Sequence, residues 1–116
     1  YKESVLMAET LLSKKFSKKN IMIDCSHGNS RKNYKNQFCV LEYICENMKV
    51  GGYYNNLVGL MIESNINEGK QSLPDNVYNY NEEELKKNLA YGVSITDCCV
   101  NLKETEKMLE LFHSTL

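Results

Sequence analysis

Two short apolar runs constrain this chain more than any other feature. They are Ile21-Met22-Ile23, leading into Asp24-Cys25, and Leu57-Val58-Gly59-Leu60-Met61-Ile62. Both have strand length, and neither shows the apolar–polar alternation of a strand with one wet face. Such strands are expected to be covered on both faces, with helices above and below and further strands at their edges.

The helices are readable from their spacing. Between Tyr1 and Phe16, Val5, Ala8, Leu12 and Phe16 recur at intervals of three and four, with Leu11 beside them, which predicts an amphipathic helix. The polar stretch from Ser17 to Asn20 ends it. Gly28, Asn29 and Ser30 form a turn, after which Tyr34, Phe38, Leu41, Ile44 and Met48 mark a second helix that Gly51-Gly52 stops. Residues 65 to about 95 lack a clear stripe, although Asn81 to Asn88 are compatible with a turn or two of helix. A last stripe, Leu102, Thr105, Met108, Leu109 and Phe112, runs to the end.

Helix, strand, helix, strand, long loop, helix is the order of an α/β fold with parallel strands and right-handed crossovers. Two parallel strands do not stand alone, and a (β/α)8 barrel takes about 250 residues. The 116 residues, beginning at Tyr1 without an initiator methionine, are therefore expected to be part of a single larger domain. Composition agrees with a packed protein: 42% hydrophobic and 25% charged. A formal net charge of -1 gives no global attraction to nucleic acid or to an anionic membrane. No apolar run reaches the roughly 18 residues of a membrane span. Five cysteines without a CxxC pair argue against a zinc ribbon or a disulfide framework and suit a reducing, cytoplasmic setting.

Both apolar runs finish at a side chain able to bind metal, His27 after the first and Glu63 after the second. In parallel α/β folds the C-terminal strand ends face the catalytic mouth, which sets these two side by side. Asp97, in Ser94-Ile95-Thr96-Asp97, closes the long loop just before the last helix and is the third candidate. One histidine with two carboxylates suits manganese, iron, cobalt or zinc better than calcium. A histidine after a strand is more often a hydrogen-bonded structural residue, so spacing alone leaves both possibilities open.

The wording of three segments adds to this. Ile-Met-Ile-Asp-Cys-Ser-His-Gly-Asn-Ser at 21–30 resembles the end of the seventh barrel strand of class I 3-deoxy-D-arabino-heptulosonate 7-phosphate (DAHP) synthases. Gly-Leu-Met-Ile-Glu-Ser-Asn-Ile-Asn-Glu-Gly-Lys-Gln-Ser at 59–72 resembles the eighth strand and the loop after it, and Leu-Ala-Tyr-Gly-Val-Ser-Ile-Thr-Asp-Cys-Cys at 89–99 resembles the approach to the eighth helix. The resemblance implies the last two β/α units of a (β/α)8 TIM barrel, with the N-terminal strands absent. It also implies that His27, Glu63 and Asp97 bind a catalytic divalent metal, with a fourth ligand, a cysteine, upstream of Tyr1.

The implied reaction condenses phosphoenolpyruvate with erythrose 4-phosphate, releasing phosphate, at the entry to aromatic amino-acid synthesis. An aromatic amino acid as feedback inhibitor and a homo-oligomer of the full-length protein are implied as partners. Asp97 is implied to contact the sugar phosphate as well, and most phosphate clamps are implied to lie upstream, which leaves this segment inactive alone. The related 3-deoxy-octulosonate 8-phosphate synthases, and a non-catalytic metal-binding or assembly module derived from the barrel, are the alternatives.

Plainer roles stand beside several residues. Arg31 and Lys32, taken to begin the second helix, are in reach of a substrate phosphate or form a solvated pair. Asn29 and Ser30 are candidates to cap that helix. Cys25 shares a strand face with His27 and is most simply a core thiol, while Cys98-Cys99 is either a vicinal redox pair or packing at a helix start. Asp24, on a regular strand, points away from His27 and is read either as a support behind the metal ligands or as the partner of a barrel lysine. The loop through Pro74 to Lys87 is longer than the family pattern, and Leu102 stands where an aromatic residue is common.

Overall fold

The computed structural model describes residues 2–16, 20–50 and 54–116. Its elements are α1 (Lys2–Ser13), β1 (Ile21–Asp24), α2 (Asn36–Val50), β2 (Leu57–Met61), a 3-10 turn (Val77–Asn79), α3 (Glu82–Asn88) and α4 (Leu102–Thr115). The glycine stop expected at Gly51-Gly52 lies outside the described residues. β1 and β2 pair in parallel, and the amide of Cys25 extends the ladder by donating to the carbonyl of Met61 at 2.9 Å. The register slips between Ile21 and Met22, which face Leu57 and Gly59. Val58 is the extra residue of this bulge, so Leu57 and Leu60 both pack toward the core despite their odd spacing.

The core lies between this sheet and the α2 and α4 helices. Cys25, Val40, Leu41, Ile44, Cys45, Val100 and Met108 are buried together, with Ile23, Leu60, Ile62 and Phe112 packed around them. The α2 stripe is therefore as the spacing predicts. The α4 stripe is rotated: Met108 is buried, whereas Leu102 and Leu109 are exposed and Leu111 packs inward with Phe112.

As expected of two parallel strands without neighbours, one face of the sheet is uncovered: Met22 and Val58 are 63% and 61% exposed, and only one side receives helices from the described chain. Two expectations need correction. In α1 only Val5 is buried, and Phe16 falls beyond the helix, because that helix packs lightly, chiefly on β1, with Glu9 accepting from the Asn56 side chain. Residues 28–35 form successive turns, so α2 starts at Asn36. Arg31 and Lys32 therefore do not begin it, and Asn29 and Ser30 do not cap it.

Between β2 and α4 the chain is held by backbone pairing. Ser64 bridges Val100, Gly69 bridges Cys99, and Lys70 bridges Ser94. Gln71 closes the base of an excursion: its side-chain amide donates to the carbonyls of Ala90 and Val93 and accepts from the amide of Ala90. Within the excursion α3 begins at a capping box, where the Asn81 side chain accepts from the Glu84 amide and Glu84 accepts in return. The Asn-x-x-Glu spacing of that box is visible in the sequence.

Candidate metal centre

The site grows from the end of β1, where the chain stops being extended. Asp24 accepts the amide of Ser26 at 2.7 Å through Oδ1, and its own carbonyl accepts from the Asn29 side chain at 2.7 Å. His27 then adopts φ 41°, a left-handed conformation uncommon for any residue but glycine. This fold-back brings its ring to Asp24, with 2.7 Å between Nδ1 and Oδ2. The expectation that Asp24 points away from His27 is thus overturned, because the strand is not regular to its end. With Nδ1 held as the donor to Asp24, the Nε2 lone pair faces outward.

Nε2 of His27 lies 3.3 Å from Glu63 Oε1 and 3.3 Å from Asp97 Oδ2. One donor atom from each of the three residues falls within 4.8 Å of the others. The hydrogen bond to Asp24 chiefly raises the His27 pKa, followed by the charges of Glu63 and Asp24; desolvation opposes them, and the contact with Asp97 adds last. An imidazole nitrogen converging with two carboxylate oxygens is a donor set that fits a borderline divalent ion, and the ion relieves the repulsion among them. An imidazole oriented by a carboxylate on its other nitrogen is the common support for such a ligand.

Glu63 is the most firmly held of the three. Its Oε2 accepts from the Ser26 hydroxyl at 2.9 Å. Its amide donates to Gln37 Oε1 at 3.0 Å, and its carbonyl accepts from Gln37 Nε2 at 3.1 Å. Gln37 is fully buried at the start of α2. Asp97 is positioned through its backbone neighbours, Ser94 and Cys99, which pair with the Lys70 segment, and its side chain is the most exposed of the triad at 60%.

The triad lines a small open cavity of about 110 Å³ with Ser26, Lys32, Lys70 and Cys98. Lys32 therefore stands where an anion over the triad is in reach, whereas Arg31 lines a separate depression beside Asn36 and Tyr43. Cys25 is a buried core thiol pushed up to about 12, mainly by burial and then by the charges of Asp24 and Cys45. All five cysteines are free; Cys99 is buried and Cys98 faces the cavity. Gln37, Ser26 and Lys70 were not evident as site residues from sequence. For Gln37 the signal was present, as it falls on the apolar face of α2, three residues after Tyr34 and four before Leu41.

Comparison with known proteins gives consistent matches. The DAHP synthetase I family profile matches residues 2–110. The phenylalanine-inhibited phospho-2-dehydro-3-deoxyheptonate aldolase of Saccharomyces cerevisiae is 48% identical over 95 residues, which are 82% of this chain and 23% of that protein. A Tyr-sensitive phospho-2-dehydro-3-deoxyheptonate aldolase of Enterobacter agglomerans is 40% identical over 98% of this chain and 48% of its own length. The solved structure of the aldolase of that name from Francisella tularensis superposes with a TM-score of 0.74 at 38% identity, covering 97% of this chain and 29% of that one. The chain thus spans between about a quarter and a half of the relatives it matches. Among the described residues, no helix is long and apolar enough to cross a membrane.

Proposed function

Since the chain belongs to the DAHP synthetase I family, we propose that the protein containing it condenses phosphoenolpyruvate with D-erythrose 4-phosphate, yielding DAHP and inorganic phosphate. In this proposal residues 1–116 are the C-terminal part of one catalytic (β/α)8 barrel and are inactive alone. The exposed sheet face at Met22 and Val58 supports this, because both side chains suit the interior of a closed barrel better than solvent.

The observation that carries the proposal is the convergence of His27, Glu63 and Asp97, whose donor atoms lie within 4.8 Å of one another. These three residues would hold a divalent ion, one of manganese, iron, cobalt or zinc. When bound, such an ion supplies Lewis acidity to a carbonyl oxygen. The chain's own residues prepare the place: Asp24 fixes the imidazole tautomer, Ser26 turns the Glu63 carboxylate, and Gln37 locks the Glu63 backbone. Asp97, the most open of the three, is the group available to a hydroxyl of the sugar phosphate. Five unbridged cysteines suit a cytoplasmic enzyme. The phenylalanine-inhibited and Tyr-sensitive relatives support feedback by an aromatic amino acid, and a homo-oligomer of the whole protein accompanies it in this proposal.

The test is expression of the full-length coding sequence and measurement of phosphoenolpyruvate consumption with erythrose 4-phosphate. Chelation is expected to abolish turnover and manganese to restore it, and His27→Ala is expected to lower kcat by at least about a hundredfold. Turnover that survives chelation, or is unchanged in His27→Ala, sinks the metal-dependent assignment.

A further inference from the structure

Lys32 and Lys70 both line the triad's cavity, yet neither forms an ion pair among the described residues, although Glu63 and Asp97 line the same cavity. Two ammonium groups left unpaired beside these two carboxylates point to a ligand rather than to charge neutralisation within the protein. Their backbones support this. The amide of Lys32 donates to the carbonyl of His27 at 2.8 Å, so the lysine is tied to the ligand-bearing turn. Lys32 and Arg31 hold φ of 60° and 55°, left-handed conformations that persist only where the surrounding structure dictates them. Lys70 lies between Gly69, paired in both directions with Cys99, and Gln71, whose amide donates to Ser94 at 2.7 Å. Both partners belong to the segment that carries Asp97.

We propose that Lys70, together with Lys32, clamps an oxyanion of a substrate held over His27, Glu63 and Asp97. This rests on the function proposed above and adds to it a binding group that the sequence did not reveal. The charge balance favours it. Glu63 and Asp97 in the cavity, with Asp24 behind His27, outweigh a divalent ion, and the two ammonium groups offset the excess that would otherwise repel an anion. The oxyanion is the phosphate or the carboxylate of a phosphorylated substrate, since both present the same acceptor chemistry to an ammonium group. Arg31, in its separate depression, takes no part.

The test uses the full-length protein and its Lys70→Gln, Lys70→Arg and Lys32→Gln variants. Manganese affinity is measured first by calorimetry. Phosphoenolpyruvate, erythrose 4-phosphate and inorganic phosphate are then titrated separately into the manganese-loaded protein. Lys70→Gln is expected to leave manganese affinity within about twofold and to weaken at least one anion about tenfold, the yield of one charged hydrogen bond; Lys70→Arg retains most of it. Loss confined to phosphoenolpyruvate identifies that substrate's oxyanion, and loss confined to erythrose 4-phosphate or shared with inorganic phosphate identifies a phosphate. Unchanged binding of all three anions in Lys70→Gln overturns the clamp, as does an equal loss of manganese binding, which marks a structural role. Failure of the enzymatic assignment is separable: the wild type then shows no turnover, while the anion titrations still answer for Lys70.

Discussion

The Gln37 side chain is paired with the Glu63 backbone as one strand pairs with another, its amide accepting from the Glu63 N–H and donating to the Glu63 carbonyl. A helix thereby extends the hydrogen-bonding of β2 past its last ladder residue and fixes the point from which the Glu63 carboxylate projects. Gln37→Leu keeps the volume but removes both bonds. It is expected to cost about 2 kcal/mol of stability, the penalty for stranding a buried backbone amide, and to weaken metal binding about tenfold. Urea denaturation and a manganese titration of the full-length protein check the two effects.

Asp24 holds the ring of His27 and does not itself belong to the converging triad. Asp24→Asn preserves shape while removing the charge that favours an Nδ1 proton. Metal affinity is expected to fall 10- to 100-fold with the fold intact, the usual effect of losing a carboxylate behind a histidine ligand. A calorimetric metal titration measures it; an unchanged affinity shows that the Asp24 contact does not support the site.

Gly92 has φ 68°, and a Cβ there meets the Cβ of Ile66 at 2.7 Å. Its carbonyl also accepts from the Asn67 amide, so the chain cannot move away without breaking the pairing that carries Asp97. Gly92→Ala is expected to loosen residues 90–97, with faster proteolysis in this segment and weaker metal binding, while α2 and the buried core keep their hydrogen-exchange protection.

Cys25 dictates part of the alkaline behaviour. Its thiol moves from 9.0 in the unfolded chain up to about 12 when folded, so the folded state disfavours the thiolate. Unfolding therefore releases a proton above pH 9, and stability falls as pH rises from about 9 to about 12, with no further contribution from this group beyond. Cys25→Ala is expected to lose packing stability at pH 7 yet flatten that decline. Urea midpoints from pH 8 to 11 provide the comparison. In thiol labelling at pH 8, exposed Cys39 reacts and Cys25 does not.

The isolated 116 residues are expected to melt without a sharp cooperative transition, because a two-stranded sheet with Met22 and Val58 open to water has one face uncovered. Circular dichroism of the purified segment decides this, and a sharp monomeric melt counts against the quarter-barrel proposal.

What could be read in the sequence, and what could not, follows from the range of the interactions. β1, β2, α2 and α4 were legible because apolar spacing reports burial directly, and His27 and Glu63 were legible as neighbours because each follows one of those runs; Asp97, at the close of a long loop, was singled out by its place before the last helix and the resemblance of its segment. The rotation of α4 and the exposure of Leu11 and Phe16 were not legible, since periodicity identifies an apolar face without saying whether a partner covers it. The turn at 28–35 was mistaken for a helix start because left-handed residues such as Lys32 carry no compositional mark. Asp24 was assigned the wrong direction for the same reason: one positive φ at His27 undoes the alternation of a strand.

The Gln71 staple has a consequence for engineering. Three hydrogen bonds join its side chain to Ala90 and Val93, so the polypeptide leaves and re-enters the body of the molecule at almost one point. Closing a longer loop on such an anchor costs only a few tenths of a kcal/mol for each modest extension. Residues between Leu73 and Asn88 are thus a natural port for an inserted epitope or reporter peptide, whose length and sequence are absorbed outside the anchor instead of being passed to Asp97.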